Sequence, residues 1–168
     1  MENFIIMEKV YGSLKRQDGL YKVGRDKYEL IYGFGEDENG GWNWRCRFNY
    51  KPSLEEIKKT ILDQINSVTD EKILTGFVWN DIQVWLSQEN QMNFKAAYDL
   101  TLQLQGATLP IPFKLGEDEK GNPVYFEFTD IETFTDFYLK AFNHMKNVLD
   151  EGWKEKDTVD WEPYNQVR

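Results

Sequence analysis

Polar and apolar residues alternate without interruption between positions 42 and 51, and this period of two predicts a half-buried β-strand. One face of that strand is apolar and carries Trp42, Trp44, Cys46, Phe48 and Tyr50. The other face is polar and carries Asn43, Arg45, Arg47, Asn49 and Lys51. A second alternating stretch lies upstream, with its apolar positions at Tyr28, Leu30, Tyr32 and Phe34. The acidic, glycine-flanked segment 35–41 between them predicts the loop of a hairpin.

A helix is predicted directly after this hairpin. Ser53 and Glu56 have the spacing of a capping box, in which each side chain accepts a hydrogen bond from a free backbone amide. Apolar residues then recur at helical spacing, so that one stripe of the helix faces a core. That stripe consists of Leu54, Ile57, Ile61, Ile65 and Val68. We expect the helix to end near Ser67.

The same order of hairpin and helix occurs a second time. Strands 77–79 and 82–85 flank an Asn-Asp dipeptide, which predicts a two-residue hairpin turn. Ser87 is a suitable N-cap for the following helix, which should run to about Gln105 and stop at Gly106.

A third repeat follows, with strands 111–115 and 124–128 on either side of another acidic loop. Thr129 and Glu132 again have capping-box spacing, and they predict a helix that continues to about Lys156. Because the strands come in close pairs, we predict an α+β fold: an antiparallel sheet of repeated β-hairpin–helix (ββα) units, with helices packed mainly on one face.

The strand-rich start of the chain predicts a division into two regions. Residues 1–52 form a β-rich region, which either continues the main sheet or makes a separate lobe, and residues 53–168 form the ββα-type region with a C-terminal helix and tail. The first strands are expected at 4–11 and 20–23. The tail, from residue 159 onward, either docks through its aromatic residues, Trp161 and Tyr164, or stays loose.

Composition narrows the classes of function. The 168 residues include 29 acidic and 20 basic residues, a formal net charge of −9. The negative charge, without a basic cluster, argues against nucleic-acid binding, because phosphate backbones would be repelled. No stretch approaches the ~20 apolar residues that span a bilayer, and the N-terminus lacks the basic start of a signal peptide. We therefore expect no membrane insertion and no secretory signal.

Candidate catalytic and metal-binding residues are few. One cysteine and one histidine exclude a disulfide framework and any paired Cys or His metal site. Cys46 lies on an aromatic face and should be a small buried hydrophobe, and His144 lies at the edge of the third helix's apolar stripe. The acidic loops lack the ligand spacing of a calcium site. We predict no catalytic residue, no metal and no cofactor.

Exposed aromatic residues are the better candidates for a binding site. The two-residue turn places Trp85 on the hairpin face opposite Phe77 and Trp79, beside Val78. The second helix carries a second apolar stripe, formed by Phe94, Tyr98 and Leu102. These five candidate residues are Val78, Trp85, Phe94, Tyr98 and Leu102. For each group two interpretations stay open: contact with a partner or a second copy of the chain, and burial in the core.

Three segments also resemble a known family. They are Phe77–Gln91, which contains Ser-Gln-Glu-Asn-Gln, the Gly-Ala-Thr-Leu-Pro stretch at 106–110, and Glu-Gly-Trp-Lys-Glu-Lys-Asp at 151–157. Together they resemble a domain of unknown function from phages and prophages of gut Bacteroidales, and more remotely tail-fibre-associated proteins of other phages. The resemblance covers residues 70–161. Residues 41–65 are similar to what precedes that domain in single-domain members.

The resemblance implies a phage setting and carries over no active-site residue. The function it implies is a non-enzymatic tail, fibre or baseplate component, or a factor that assembles one. Its location would be the virion or the cytoplasm of the bacterial host. Its partners would be other tail or fibre proteins, or a second copy of the chain as a homo-oligomer. Two alternatives stay open: a small carbohydrate-binding module that uses an exposed tryptophan to bind a glycan, and a small hydrolase.

Overall fold

The computed structural model describes residues 6–168, which form eight strands, three helices and one turn of 3₁₀-helix. The strands are β1 (Glu8–Tyr11), β2 (Gly19–Lys22), β3 (Tyr28–Asp37), β4 (Gly40–Phe48), β5 (Phe77–Trp79), β6 (Ile82–Val84), β7 (Ile111–Glu117) and β8 (Pro123–Phe128). The helices are α1 (Leu54–Thr75), α2 (Gln88–Gln103) and α3 (Ile131–Asp157), with a 3₁₀ turn at Glu162–Tyr164. The predicted α+β class with antiparallel strand pairs is confirmed.

The chain divides into two compact units. The first holds the described residues up to Asn66 together with Glu155–Arg168, and the second is Ser67–Lys154. The boundary falls inside α1 and inside α3, so both helices contribute residues to each unit. Within the first unit, the last strand ends at Phe48 and α1 begins at Leu54.

The first unit is built on a four-stranded antiparallel sheet with the strand order β1-β4-β3-β2. Cross-strand neighbours share a face, and the pairs Tyr28 with Phe48 and Leu30 with Cys46 turn the predicted apolar face inward. That face packs on one stripe of α1, whose fully buried residues are Ile57, Ile61 and Ile65. Since Cys46 is buried in this core, the prediction for the cysteine is confirmed.

The opposite face of this sheet is less exposed at one position than the alternation predicts. Asn43 was expected to face solvent, but it is fully buried. Its amide donates to the Ser13 hydroxyl at 2.8 Å, and the backbone amides of Gly12 and Ser13 donate to the Gly41 carbonyl. The segment before β2 therefore lies over this part of β4, and Asn43 is satisfied by hydrogen bonds rather than by water.

The second unit contains two hairpins, β5–β6 and β7–β8, together with α2 and most of α3. Trp79 lies opposite Ile82 and Phe77 opposite Val84, as predicted. Asn80 and Asp81 both have positive φ angles, 49° and 61°, which is the geometry of the mirror-image turn that joins two-residue hairpins. The core of this unit is rich in aromatic residues, with Phe128, Phe134 and Phe137 fully buried.

The strands do not form the one shared sheet that the repeated pattern predicts. The four-stranded sheet and the two hairpins are three separate sheets. The two hairpins of the second unit are neighbours, because the Trp85 amide donates to the Leu115 carbonyl at 2.8 Å. The first predicted strand begins at Glu8 among the described residues, and its first two expected positions, 4 and 5, lie outside them.

Two predicted helix boundaries are wrong. α1 ends at Thr75 rather than near Ser67, because Ile73 lies against the second core and extends the helix beyond the polar stretch that follows Val68. The N-terminal cap of α3 is Asp130, whose carboxylate accepts a hydrogen bond from the Thr133 amide at 2.7 Å. The other two predicted caps are confirmed: Ser53 and Glu56 exchange hydrogen bonds as a capping box, and Ser87 is the N-cap of α2.

The C-terminal tail is docked on the first unit. Tyr164 is buried in its core, with Trp161 packed beside it. Val167 pairs in parallel with Leu20, and backbone hydrogen bonds join Arg168 to both Leu20 and Lys22. The tail thereby covers the β2 edge of the four-stranded sheet, which would otherwise be open to another strand.

Candidate functional site

The second unit has an open hairpin face that carries large apolar side chains. We call it the outer face and define it by Val78, Gln83, Trp85, Lys114 and Tyr125. Val78 and Gln83 are cross-strand partners on β5 and β6, and Lys114 and Tyr125 are partners on β7 and β8. Because side chains alternate across a strand, these residues point away from the aromatic core that their neighbours fill.

Three residues of the outer face are exposed although they are large and apolar. The exposed fractions are 61% for Val78, 38% for Trp85 and 66% for Tyr125. The Lys114 ammonium lies 5.8 Å from the centre of the Trp85 ring and forms an ion pair with Glu117 at 3.1 Å. The outer face is therefore an aromatic surface with its own cation, not a uniformly charged one.

Trp85 is held in place through its backbone. Its amide donates to the Leu115 carbonyl at 2.8 Å, and its carbonyl accepts from the Asn90 side chain at 2.8 Å. The neighbouring strands approach closely at Gly116, where a Cβ would lie 2.3 Å from the Gln83 carbonyl oxygen. No residue larger than glycine fits there without a backbone shift. The indole is thus presented on a fixed backbone, which lowers the entropy cost of a contact.

A pocket of about 360 Å³ adjoins Val78 on this unit. Its other lining residues are Asp81, Ile82, Gln83, Glu117, Asp118, Glu119 and Val124. The Asp118 carboxylate accepts hydrogen bonds from the side chain and backbone amide of Asn122 and from the backbone amide of Lys120, which lower its pKa from the ordinary value. Asp118 is therefore ionised at neutral pH, and the pocket wall is acidic.

The structure brings Val78 and Trp85 together on the outer face but does not place the three predicted residues of α2 there. Phe94 is buried, with the rings of Phe113 and Phe137 at 5.1 and 5.0 Å, so it is a core residue rather than a contact residue. Its burial follows from the hairpin on which α2 packs, which periodicity within one helix does not reveal.

The other two α2 residues differ from each other. Tyr98 is half-buried, stacked on Tyr138 at 4.5 Å, and its hydroxyl is 3.0 Å from that of Thr135. Leu102 is 44% exposed, near the end of the helix. Tyr98 is thus held within the second unit, and of the three only Leu102 has a largely free side chain.

Tyr125 and Lys114 were missed by the sequence analysis. A signal was present, because the strand predicted at 124–128 places Tyr125 on the face opposite Phe126 and Phe128. What the sequence does not contain is the neighbourhood of the two hairpins, which places Lys114 beside Trp85.

Cys46 and His144, the two side chains considered for catalysis, both make structural contacts. Burial, with a smaller contribution from Glu29, raises the pKa of the Cys46 thiol to about 12, so the thiol is protonated at neutral pH. The His144 ring lies 5.5 Å from that of Phe77, with its Nε2 atom 2.9 Å from the Lys72 carbonyl oxygen. Within residues 6–168, no group of three His, Cys, Asp or Glu side chains is placed to hold a metal ion. No helix in the same range is long and apolar enough to cross a membrane.

Comparison with known proteins finds no relative from which a role could be taken. No family model matches the chain, and neither a curated protein nor a solved structure matches it significantly.

Proposed function

We propose that this chain is a non-enzymatic phage or prophage protein, a structural or assembly component associated with the tail, fibre or baseplate. It acts by binding other proteins of the particle, or a second copy of itself. The outer face of the second unit is the contact surface. The observation that carries this proposal is the exposure of Val78, Trp85 and Tyr125 on strands whose opposite side chains fill the core.

Exposed aromatic residues on a fixed backbone favour a protein contact. Tryptophan and tyrosine are enriched at the energetic centres of interfaces, because they bury a large area with few rotatable bonds. Val78 and Tyr125 are each more than half exposed. A partner that covered them would remove apolar area from water without rearranging the hairpins that present them.

The phage setting comes from the family resemblance of residues 70–161. The outer face falls within that range, and Trp85 lies within the Phe77–Gln91 segment that carries part of the resemblance. The Gly-Ala-Thr-Leu-Pro segment at 106–110 lies between α2 and β7. The segments that carry the resemblance include strand residues of the outer face. The proposed contact surface and the proposed phage setting therefore concern the same part of the chain.

The proposal is tested in a phage or prophage that carries this gene. Particles from the wild type and from a strain with the gene deleted are compared by electron microscopy, infectivity and peptide mass spectrometry. We expect the deletion to give defective tails or fibres. Peptides of this chain at stoichiometric level in wild-type particles would identify a structural component. Their absence from particles whose assembly requires the gene would identify an assembly factor. Normal particles with full infectivity after deletion would contradict the proposal.

A carbohydrate-binding module is the second candidate. It is favoured by one observation: Trp85 and Tyr125 expose aromatic surface on the same unit as a pocket lined by carboxylates and the Gln83 side chain. Sugar rings stack on such side chains, while carboxylates accept hydrogen bonds from the hydroxyl groups and amides both donate to and accept from them. Glycan arrays test this with the wild type, with Trp85→Ala and, as the control, with Trp153→Ala, which removes an exposed tryptophan on α3. Binding lost only in Trp85→Ala would support the module, and an intact but silent wild type would oppose it.

A further inference from the structure

A second site lies on the first unit, on the face of the four-stranded sheet opposite α1. Arg45 and Arg47 are two positions apart on β4, so both side chains project from that face. They line a pocket of about 460 Å³. Its remaining lining residues are Ile6, Glu8, Val10, Glu29 and Cys46.

Both guanidinium groups are held by one carboxylate. Glu29 lies opposite Arg47 on the neighbouring strand, and its side chain is only 12% exposed. One carboxylate oxygen accepts from Arg47 Nε at 3.0 Å, and the other accepts from Arg45 Nη1 at 3.3 Å. Arg45 Nε also donates to the buried Asn43 side chain at 2.7 Å. The orientation of both arginine side chains is therefore fixed by hydrogen-bond acceptors that are themselves buried or nearly so.

These contacts leave several donors unused. A guanidinium has five N–H groups in a planar fork, and the bonds to Glu29 and Asn43 use only part of each fork. Nη2 of Arg45 and both Nη atoms of Arg47 have no acceptor among residues 6–168. The Arg47 side chain is 75% exposed and that of Arg45 is 26% exposed, so solvent reaches both side chains. Two oriented forks with free edges match the planar geometry of a carboxylate.

The charges and the apolar surface of the pocket restrict the class of ligand that it can bind. Arg45, Arg47 and Glu29 together carry one net positive charge, and Glu8 adds one negative charge in the same lining. Both glutamates would repel a doubly charged phosphate about twice as strongly as a singly charged carboxylate. A carboxylate is matched by the arginine forks, and a hydroxyl or ammonium group on the same molecule could donate to Glu8. Ile6 and Val10 supply apolar contact for the rest of the ligand.

We propose that this pocket binds a small carboxylic acid that also carries a hydroxyl or ammonium group, such as an α-hydroxy or α-amino acid. The carboxylate accepts from the free Nη donors of Arg45 and Arg47, and the donor group faces Glu8. The inference does not depend on the proposed function, because it concerns residues of the first unit alone.

The test uses the full chain labelled with ¹⁵N and follows the Nε–Hε signals of its arginines. L-lactate, L-leucine and acetate are titrated in turn, with inorganic phosphate at the same ionic strength as the comparison. We expect L-lactate and L-leucine to shift the Arg45 and Arg47 signals saturably, with Kd in about the millimolar range or below. Acetate, which has no second polar group, should bind more weakly. No saturable shift by any carboxylate, or tighter binding of phosphate, would overturn the proposal.

Variants separate the two halves of the site. Arg47→Ala leaves Glu29 paired with Arg45 and should weaken L-lactate binding about tenfold or more. Arg47→Lys keeps the positive charge but not the planar guanidinium. Its affinity for L-lactate should lie between those of the wild type and Arg47→Ala. Glu8→Gln should weaken L-lactate and L-leucine but not acetate.

Arg25→Ala, which removes an exposed arginine in the turn before β3, is the matched control and should bind as the wild type. Unchanged binding in Arg47→Ala, with dispersed backbone signals that show a folded chain, would refute the role of the arginine pair. Equal loss in Arg25→Ala would show a nonspecific charge effect and would overturn the site.

Discussion

The sharpest stability prediction concerns Phe94, the α2 residue for which the sequence left partner contact and burial both open and which the structure places in the core. An aromatic side chain buries about 150–250 Å², and Phe94 is only 3% exposed, so at about 25 cal/mol per Å² its burial is worth about 4–6 kcal/mol. Alanine retains the Cβ, while the cavity beside Phe113 and Phe137 adds a cost. Phe94→Ala should therefore lower the free energy of unfolding by about 3–5 kcal/mol.

Urea unfolding followed by circular dichroism measures this change. At about 2–4 °C per kcal/mol for a chain of this size, Tm should fall by roughly 6–20 °C. Leu102→Ala is the control on the same helix. Leu102 is 44% exposed, and alanine is at least as good a helix former, so we expect a loss of about 1 kcal/mol or less. Equal, small effects of both substitutions would refute the burial of Phe94 and return it to the surface.

Three further predictions concern the first unit and the start of α3. Cys46 should resist alkylation in the folded chain and react fully in denaturant, because it is buried and its thiol pKa is raised to about 12; rapid labelling under native conditions would contradict this. Asn43→Ala should cost about 1–3 kcal/mol in urea unfolding, since it removes the hydrogen bond to Ser13 and leaves buried groups without partners, and a neutral effect would show that solvent reaches the site. Asp130 caps α3, and its bonds to Thr133 lower its pKa below the ordinary 3.8. Its stabilisation is present above the unfolded pKa and is lost as pH falls through the folded one, so Asp130→Asn should flatten the acid side of the stability curve.

The fold was largely predictable where one element supplies its own signal. The alternation on β4, the two-residue turn at Asn80-Asp81 and the cap at Ser87 each follow from local chemistry, and the structure has all three. The errors occur where a distant segment decides. α1 continues past Ser67 because Ile73 meets a core built by residues far along the chain. Local periodicity contains no information about that core.

The candidate sites were less predictable for the same reason. The outward position of Trp85 followed from the hairpin register, but its neighbour Lys114 comes from another hairpin. The polar face of β4 suggested solvated arginines. Its fixed geometry depends on Glu29, which lies on a different strand and pairs with both guanidinium groups. A strand pattern states which face a side chain takes and not which partner it meets there.

The central claim is that the outer face is a protein contact surface. Oxidative footprinting with peptide mass spectrometry tests it directly, by comparing the free chain with the assembly in which the proposal places it, a phage particle or an assembly intermediate. We predict that Trp85 and Tyr125 are protected from oxidation in the assembled state. Trp153, a 54% exposed tryptophan on α3 outside the outer face, should react equally in both states. Equal oxidation of Trp85 and Tyr125 in the free and assembled chain would contradict the account.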